Sequence, residues 1–403
     1  MANPIIYRKL WNFIAQLPKN LSSQGASPMQ TESSARVKDA IEAIKKGEMI
    51  IIMDDEDREN EGDLVLAGIF STPEKINFMA QEARGLICVS ITQELAHKLD
   101  LPPMVKRNDS NHETAFTISI DAREAKTGIS AYERDLTIRL MCDSNAKPSD
   151  FVRPGHIFPL IAKEGGTLVR TGHTEASVDI CRLAGLAPVS VICEIMKKDG
   201  SMAGRGDKFL LDFAREHNLR ILYVSDIIEY RLKFENLVQD QTKEHAVFMG
   251  TACEKITFTD HLDREHIVFS FGGCGADSND TESKTPLVRF HTAGGDIALL
   301  QNAQEWQALQ KSIELLRTNG GFLVCLNTKD SRLDSNAQSK KISPDPAESG
   351  GDMKDFGIGA QILKQLGVRD FTLLSASTRD KAAKAQYNAL GGFDLRLAKK
   401  IEL

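Results

Sequence analysis

Between residues 35 and 53 the chain changes its hydrophobic period. In ARVKDAIEAIKKGEM, Val37, Ile41 and Ile44 recur at helical spacing and Gly47 supplies a stop. The apolar run MIIIM at 49–53 follows and predicts a buried strand. Further along, the pattern predicts a helix near 73–83, a strand in LICVSI at 86–91 and an alternating strand in TAFTISID at 114–121. Apolar-helical segments lie around 174–184 and 207–217. Between about 230 and 250 the sequence EYRLKFENLVQDQTKEHA is charged and nearly free of turn residues, which predicts a helix running out into an interdomain connector. A second unit then holds the strand-like runs HIVFSF, PLVRFH, GFLVCL and DFTLLSAS, with helices near 303–317 and 357–366. Polar stretches at 275–286 and 330–352 separate these runs, and the longer exceeds most ordered loops, so it reads as mobile or disordered. NLSSQGASPMQTESSA at 20–35 is small, polar and turn-prone, a linker ahead of the first domain. No internal repeat is visible.

This alternation of helices and strands gives an α/β (α+β) protein. With 403 residues the chain exceeds the size at which one core keeps growing, so two domains are expected. The division is an extension and linker at 1–34, a first domain at 35–233, a connector at 234–250 and a second domain at 251–403. A hydrophobic fraction of 41% with 26% charged residues supports a sizeable core. The net charge of -6 argues against a nucleic-acid partner but leaves room for a small phosphorylated substrate, which needs only a few local cations. The seven cysteines are scattered, odd in number and nowhere spaced C-x-x-C, which suits reduced thiols and a cytoplasmic location. No stretch approaches the roughly 20 apolar residues of a membrane span. The segment MANPIIYRKLWNFIAQLPKN has cations and no acid, a pattern compatible with a transit peptide; the preferred reading is a frayed or loosely docked extension.

Chemistry enters with DDEDRENEGD at 54–63, where seven of ten side chains are carboxylates at the end of the predicted strand. Such crowding is costly through self-repulsion, and a hard divalent cation would offset it, since Mg²⁺ takes one or two carboxylates and fills its remaining positions with water and substrate oxygens. Arg58 can pair with neighbouring acids or reach a phosphate, and a solvated acidic loop is the plain alternative. In GGTLVRTGHTEASVDICRLAG at 165–185, a strand is expected to feed a glycine-containing turn that opens a helix, with Thr174 as its N-cap. Backbone N–H groups there, with Arg170, Thr171 and Thr174, form a candidate phosphate cradle. His173 in the same turn can be a metal ligand or a proton shuttle. His156, between Pro154 and Pro159 in RPGHIFPL, is either structural or functional. Glu194 ends the apolar run VSVIC, and a carboxylate leaving such surroundings can serve as general acid or base, or simply cap the next turn. Together these features suggest proton chemistry beside the carbonyl of a phosphorylated sugar.

DDEDRENEGD, RPGHIFPL, RTGHTEASVDI and the CEI…DGSMA segment resemble the signature of the 3,4-dihydroxy-2-butanone 4-phosphate synthase family, in its order, over about 35–233, and TGISAYERDLTI and DLPPMV also fit. The resemblance implies a mixed sheet with flanking helices. It also implies conversion of D-ribulose 5-phosphate to L-3,4-dihydroxy-2-butanone 4-phosphate and formate with Mg²⁺ or Mn²⁺, in a homodimer with its site near the subunit interface. Carried over by motif, Glu59 and His173 would bind metal. Arg58, Glu59, Asp63, Glu194 and the loop Arg170, Thr171, Gly172, His173 and Thr174 would contact substrate, and His156 and Glu194 would be essential for catalysis. The family's chemistry runs through an enediol, loss of water, skeletal rearrangement and release of one carbon. DFGIGAQILKQLGVRDFTLLSASTRDKAA at 355–383 resembles GTP cyclohydrolase II. The three-cysteine zinc cluster of that family has no counterpart in PLVRFHTAGGDIALLQNAQEWQAL at 286–309, where Ala293, Ala298 and Ala303 supply no thiolate, and Cys274 and Cys325 lie outside the expected cluster. NTKDSRLD at 327–334 replaces the family's catalytic loop. No zinc and no cyclohydrolase activity are expected in this retained α/β domain, whose role would be structural, dimerising or regulatory through a bound ligand or protein; the alternative is a bifunctional enzyme that also hydrolyses GTP with a different metal arrangement.

Overall fold

The computed structural model describes residues 32–56, 58–112, 114–272, 285–293, 303–327, 349–375 and 395–403, and of residues 240, 241, 293 and 349–356 only the backbone. The N-terminal extension and most of the linker, both polar stretches save their ends, Cys274, Ala298, most of NTKDSRLD and the tail of the cyclohydrolase-like motif lie outside the described residues.

The predicted opening is present. Helix α1 (Glu32–Lys45) buries Val37, Ala40, Ile41 and Ile44, and Gly47 turns the chain at φ +75° where an added Cβ would press on Phe70. β1 (Ile50–Met53) is fully buried and pairs antiparallel with β2 (Gly62–Ala67), so the acidic decapeptide is the loop of a β1–β2 hairpin. The chain continues through α2 (Pro73–Phe78) and a π turn (Met79–Ala83), β3 (Cys88–Ile91), α3 (Gln93–Lys98), β4 (Ile120–Ala122), α4 (Ala131–Met141) and β5 (Phe151–Ile161). Then come α5 (His173–Leu183), β6 (Ser190–Glu194), α6 (Lys208–Glu216), β7 (Arg220–Tyr223) and α7 (Val224–Phe234). The strands form a mixed sheet in the order β4-β5-β3-β6-β2-β1-β7. β1 with β7 and β3 with β5 run parallel, and the other neighbours antiparallel. Register places Asp63 on β2 opposite Glu194 on β6, at the same end of the sheet as the β1–β2 loop.

A second sheet, in the order β14-β13-β11-β12-β10-β9-β8, follows. It contains β8 (Val238–Phe248), β9 (Thr251–Asp260), β10 (Glu265–Phe271), β11 (Leu287–Ala293), β12 (Gly321–Asn327), β13 (Asp370–Ser375) and β14 (Arg396–Glu402), with helices α8 (Ala303–Asn319) and α9 (Ser349–Gln365). One cluster of buried apolar side chains runs through both halves, bringing Ile227 and Leu232 of α7 together with Ile358 and Ile362 of α9.

Three expectations are corrected. The segment around 230–250 is not one helix: α7 stops at Phe234, and β8 pairs along β9 from Val238↔Asp260 to Phe248↔Thr251. The hairpin turn is made by Met249 and Gly250, both at positive φ (46° and 78°), a geometry usually marked by Asn-Gly, so its sequence signal was weak. TAFTISID is a strand only at its end. Thr117 donates to the Pro159 carbonyl at 2.9 Å, but Pro159 has no N–H to return, and the ladder reduces to isolated bridges such as Phe116↔Leu160. The chain before RTGHT is not a strand but a 3₁₀ turn (Gly166–Leu168).

Candidate active site

Four segments converge on a cleft of about 350 Å³ whose walls carry Arg58, Glu59, Glu61, Asp63, His112, Arg170, His173, Thr174 and Glu194. A larger groove of about 440 Å³, beside α3 and Pro102–Pro103, brings together no such set of carboxylates.

The β1–β2 loop is organised by its first residue. Asp54 is buried, and its carboxylate accepts from Arg58 Nη1 at 2.9 Å and from the backbone N–H groups of Glu59 at 3.0 Å and Glu61 at 2.9 Å. Arg58 also pairs with Glu59 Oε2 at 2.8 Å, so its guanidinium serves the loop itself. Glu59 is thereby aimed at His173, whose Nδ1 lies 3.5 Å from Glu59 Oε2. The other ring nitrogen, Nε2, lies 3.2 Å from the Glu61 carbonyl and 3.9 Å from Asp63 Oδ1.

His173 is the first residue of α5, and Gly172, in extended conformation, is the N-cap; Thr174 lies one residue inside the helix and is buried. This corrects the expected N-cap by two residues. Thr171 is half-buried at the same turn. Arg170 is held by Glu175 Oε2 at 2.6 Å and donates to the His112 carbonyl at 2.9 Å, so it braces the loop over the cleft. On the opposite wall Glu194 Oε2 accepts from Leu86 N–H at 2.8 Å, and Gly85 permits the approach: a Cβ there would run into the Glu194 carboxylate and backbone.

The electrostatics follow from this crowding. Burial disfavours the Glu59 charge, but the His173 hydrogen bond and the Arg58 charge outweigh it and hold the carboxyl at about 2. Burial pushes Asp63 up, opposed by His173 and helped by Glu194 and Glu61, and it raises Glu61 too, with Glu59 and Glu194 adding to it. Burial works against protonating His173, yet Asp63 and Glu59 push it up to about 9. Asp63 and His173 thus contend for one proton, because the Asp63 charge that favours imidazolium is the charge burial suppresses. Asp63 Oδ1 is buried without a hydrogen-bond partner among the described residues.

This donor set fits a hard divalent cation. Asp54, Glu59 and His173 can each present one ligand atom, all within 4.8 Å of one another, and a cation would replace the proton on His173 and relieve the excess negative charge. Glu59 and His173 were anticipated from sequence; Asp54 was not singled out, because a buried loop-organising aspartate looks like its exposed neighbours in a run of acids.

His156 does not line this cleft. It lies on β5 with its side chain 43% exposed, its N–H donating to Asp121 Oδ1 and its Nδ1 2.8 Å from Asp121 Oδ2. Gly128, at φ +81°, closes over the pair, and a Cβ there would run into both. Asp121 is the partner that sequence reasoning missed; its place at the end of an apolar alternation gave no sign of it.

Comparison with known proteins matches residues 38–230 to the model of the 3,4-dihydroxy-2-butanone 4-phosphate synthase family and residues 239–402 to that of GTP cyclohydrolase II. The chain is 72% identical over 368 residues to a 3,4-dihydroxy-2-butanone 4-phosphate synthase of Helicobacter hepaticus, covering 91% of this chain and 99% of that one. It is 41% identical over 391 residues to riboflavin biosynthesis protein RibBA of Aquifex aeolicus, covering 91% and 92%. Among solved structures it is similar to RibBX, a two-domain 3,4-dihydroxy-2-butanone 4-phosphate synthase from A. baumannii, with a TM-score of 0.73 and 36% identity over 91% of this chain and 100% of that one.

Proposed function

Because the chain belongs to the 3,4-dihydroxy-2-butanone 4-phosphate synthase family, we propose that its cleft converts D-ribulose 5-phosphate to L-3,4-dihydroxy-2-butanone 4-phosphate and formate in riboflavin biosynthesis. The observation that carries this reading is the meeting of Glu59, Asp63, His173 and Glu194, from separate segments, around one cleft. Glu59 and His173 would hold Mg²⁺ or Mn²⁺ through a carboxylate oxygen and a ring nitrogen, with Asp54 supporting the loop and able to offer a second oxygen as third ligand. When bound there, such an ion would supply Lewis-acid polarisation of the ketose carbonyl and stabilise developing negative charge. Asp63 and Glu194 face each other across β2 and β6, and burial keeps Asp63 near the point where it can take or give a proton around neutrality. Glu194 has one oxygen fixed by Leu86 N–H, which sets the direction of the other. The N-terminus of α5, with Thr171, Gly172 and Thr174, offers N–H and hydroxyl donors to the substrate's anionic end, while Arg58 and Arg170 shape the walls.

His156 is essential only if it reaches a substrate, and its own cleft does not include it. We therefore place it in the cleft of a second copy. Next to Gly128, which covers the Asp121–His156 pair, Ile129 is 55% exposed, and Tyr132 (72%) and Leu136 on the first two turns of α4 are exposed as well, apolar surface suited to a homodimer. The first domain is taken as 35–233 and the second as 251–403, with 234–250 joining them; β8 within that joint already belongs to the second sheet. The second half is proposed to lack zinc and cyclohydrolase activity, since residues 286–309 carry no cysteine. None of the described helices is long and apolar enough to cross a membrane, and the described cysteines are free, which supports a cytoplasmic location.

Incubation with ribulose 5-phosphate and Mg²⁺ should release formate, and EDTA should stop it; absence of formate at any divalent ion would reject the synthase reading. GTP turnover with bound zinc would reject the inactive second half.

A further inference from the structure

We propose that the second half of the chain holds the first half's 165–172 loop in place, with Gln361 and Arg231 as positioning residues. This rests on the reading of that loop as part of the substrate site.

The loop is fastened at both ends to α5, the helix that begins with His173. Glu175 is buried and accepts from Lys163 N–H at 3.0 Å and Arg170 Nη1 at 2.6 Å. One turn on, Asp179 is buried and its Oδ2 accepts from Thr167 N–H at 2.8 Å, Thr167 Oγ1 at 2.7 Å and Arg231 Nη1 at 2.7 Å. Gly166 is left-handed at φ +61°, and a Cβ there would run into Asp179, so the loop's path depends on where that carboxylate sits. Arg231, on α7, donates with the same Nη1 to the Gly165 carbonyl at 2.8 Å. Its Nε and Nη2 are occupied by Glu235, both at 3.0 Å. A guanidinium with its fork filled on both sides has one position, and the end of α7 sets it.

The second half fixes that end. Gln361 of α9 is buried and donates to the carbonyls of Leu232 at 2.8 Å and Glu235 at 2.9 Å while accepting from Leu237 N–H at 2.9 Å. It thus satisfies backbone groups that a helix end leaves open, immediately after Arg231. Gly357, one turn earlier on α9, lets the helix lie against Leu232, where a Cβ would not fit. The second half also touches the loop directly: Leu262, in the β9–β10 turn, packs on Gly165, and a Cβ on that glycine would stand 2.8 Å from it. Two routes therefore run from the second sheet to one loop.

The test uses the full chain. Gln361→Leu keeps the volume and removes all three hydrogen bonds. Expected are faster hydrogen exchange at residues 163–172 with exchange at 50–53 and 190–194 unchanged, Mn²⁺ binding weakened by about two- to tenfold, the scale of one or two net hydrogen bonds, and a KM for ribulose 5-phosphate that rises more than kcat falls. Leu262→Ala should produce the same signature more weakly, and Arg231→Lys should recover part of what Arg231→Met loses. If Arg231→Met does not fold, the Gln361 and Leu262 variants decide. Unchanged exchange at 163–172 in Gln361→Leu, with exchange in α9 raised, would overturn the proposal. A wild-type chain that neither binds Mn²⁺ nor consumes the ketose would instead refute the site, leaving the exchange result to stand by itself.

Discussion

At the scale of single residues, the cleft turns on how Glu59 and His173 share charge. Glu59 is held at about 2 by His173 and Arg58 against the cost of its burial, so it is ionised across the working pH range. Glu59→Gln keeps the shape and removes the charge; Mn²⁺ affinity should fall by more than the roughly 10- to 100-fold that loss of a ligand's supporting partner costs. Formate release should cease with the unfolding temperature nearly unchanged, and normal turnover would reject the ligand role. His173 leads to a prediction with a definite sign. Its value is raised from 6.5 to about 9, so its protonation stabilises the metal-free chain fully below 6.5, and that contribution is lost as pH climbs through 9. A cation must displace that proton, so apparent Mn²⁺ affinity should increase by up to about tenfold per pH unit as pH rises toward 9 and level off above it. Calorimetry in buffers of different ionisation enthalpy should show proton release; affinity flat with pH would contradict it. Glu59 and His173 were legible because their motifs carry them, whereas Asp54 and Asp121 were not, since their work depends on which backbone amides and ring nitrogens the fold brings to them.

At the scale of elements, the hydrophobic period was a good guide wherever one face of a helix or a whole strand is buried, as in α1, β1, β6 and α6. It failed for β8, an edge strand with no buried stripe to announce it, and for the 114–121 stretch, where proline on the neighbouring strand interrupts pairing. The loop before α4 is a case where polar chemistry rather than period sets the structure. Glu133 accepts from the N–H groups of Lys126, Thr127 and Gly128 at 2.7, 3.2 and 3.1 Å, and Ser130 accepts from Glu133 N–H in return. These bonds, led by the one from Lys126 N–H, lower the Glu133 carboxyl to about 2, so its ordering of the loop is complete above the ordinary 4.5 and is lost as pH falls toward 2. Pepsin cleavage within 125–130 should therefore accelerate between pH 4 and 2, and Glu133→Ala should be cleaved as fast at pH 4 as wild type is at 2. Because Gly128 covers the Asp121–His156 pair, the same variant should lower activity at neutral pH without disturbing Mn²⁺ binding at Glu59 and His173.

At the scale of the whole molecule, the distance between the cleft and His156 has to be reconciled with a single reaction. Within one chain His156 is turned to its own aspartate and to solvent under Gly128, and Ile129, Tyr132 and Leu136, which follow Gly128 in the chain, are exposed. A two-fold dimer formed on that surface would bring each His156 toward its partner's cleft, so each site would draw its carboxylates from one chain and its imidazole from the other. Glu59→Gln and His156→Asn chains are then each inactive alone. Unfolded together and refolded, they should regain about a quarter of wild-type activity, because random pairing makes half the dimers mixed and each mixed dimer has one intact site of two. Tyr132→Arg, which places like charges across the two-fold axis, should shift the chain toward monomer in sedimentation and remove formate release with it. Recovery of no activity in the refolded mixture, with dimers present, would refute a site shared between the two chains.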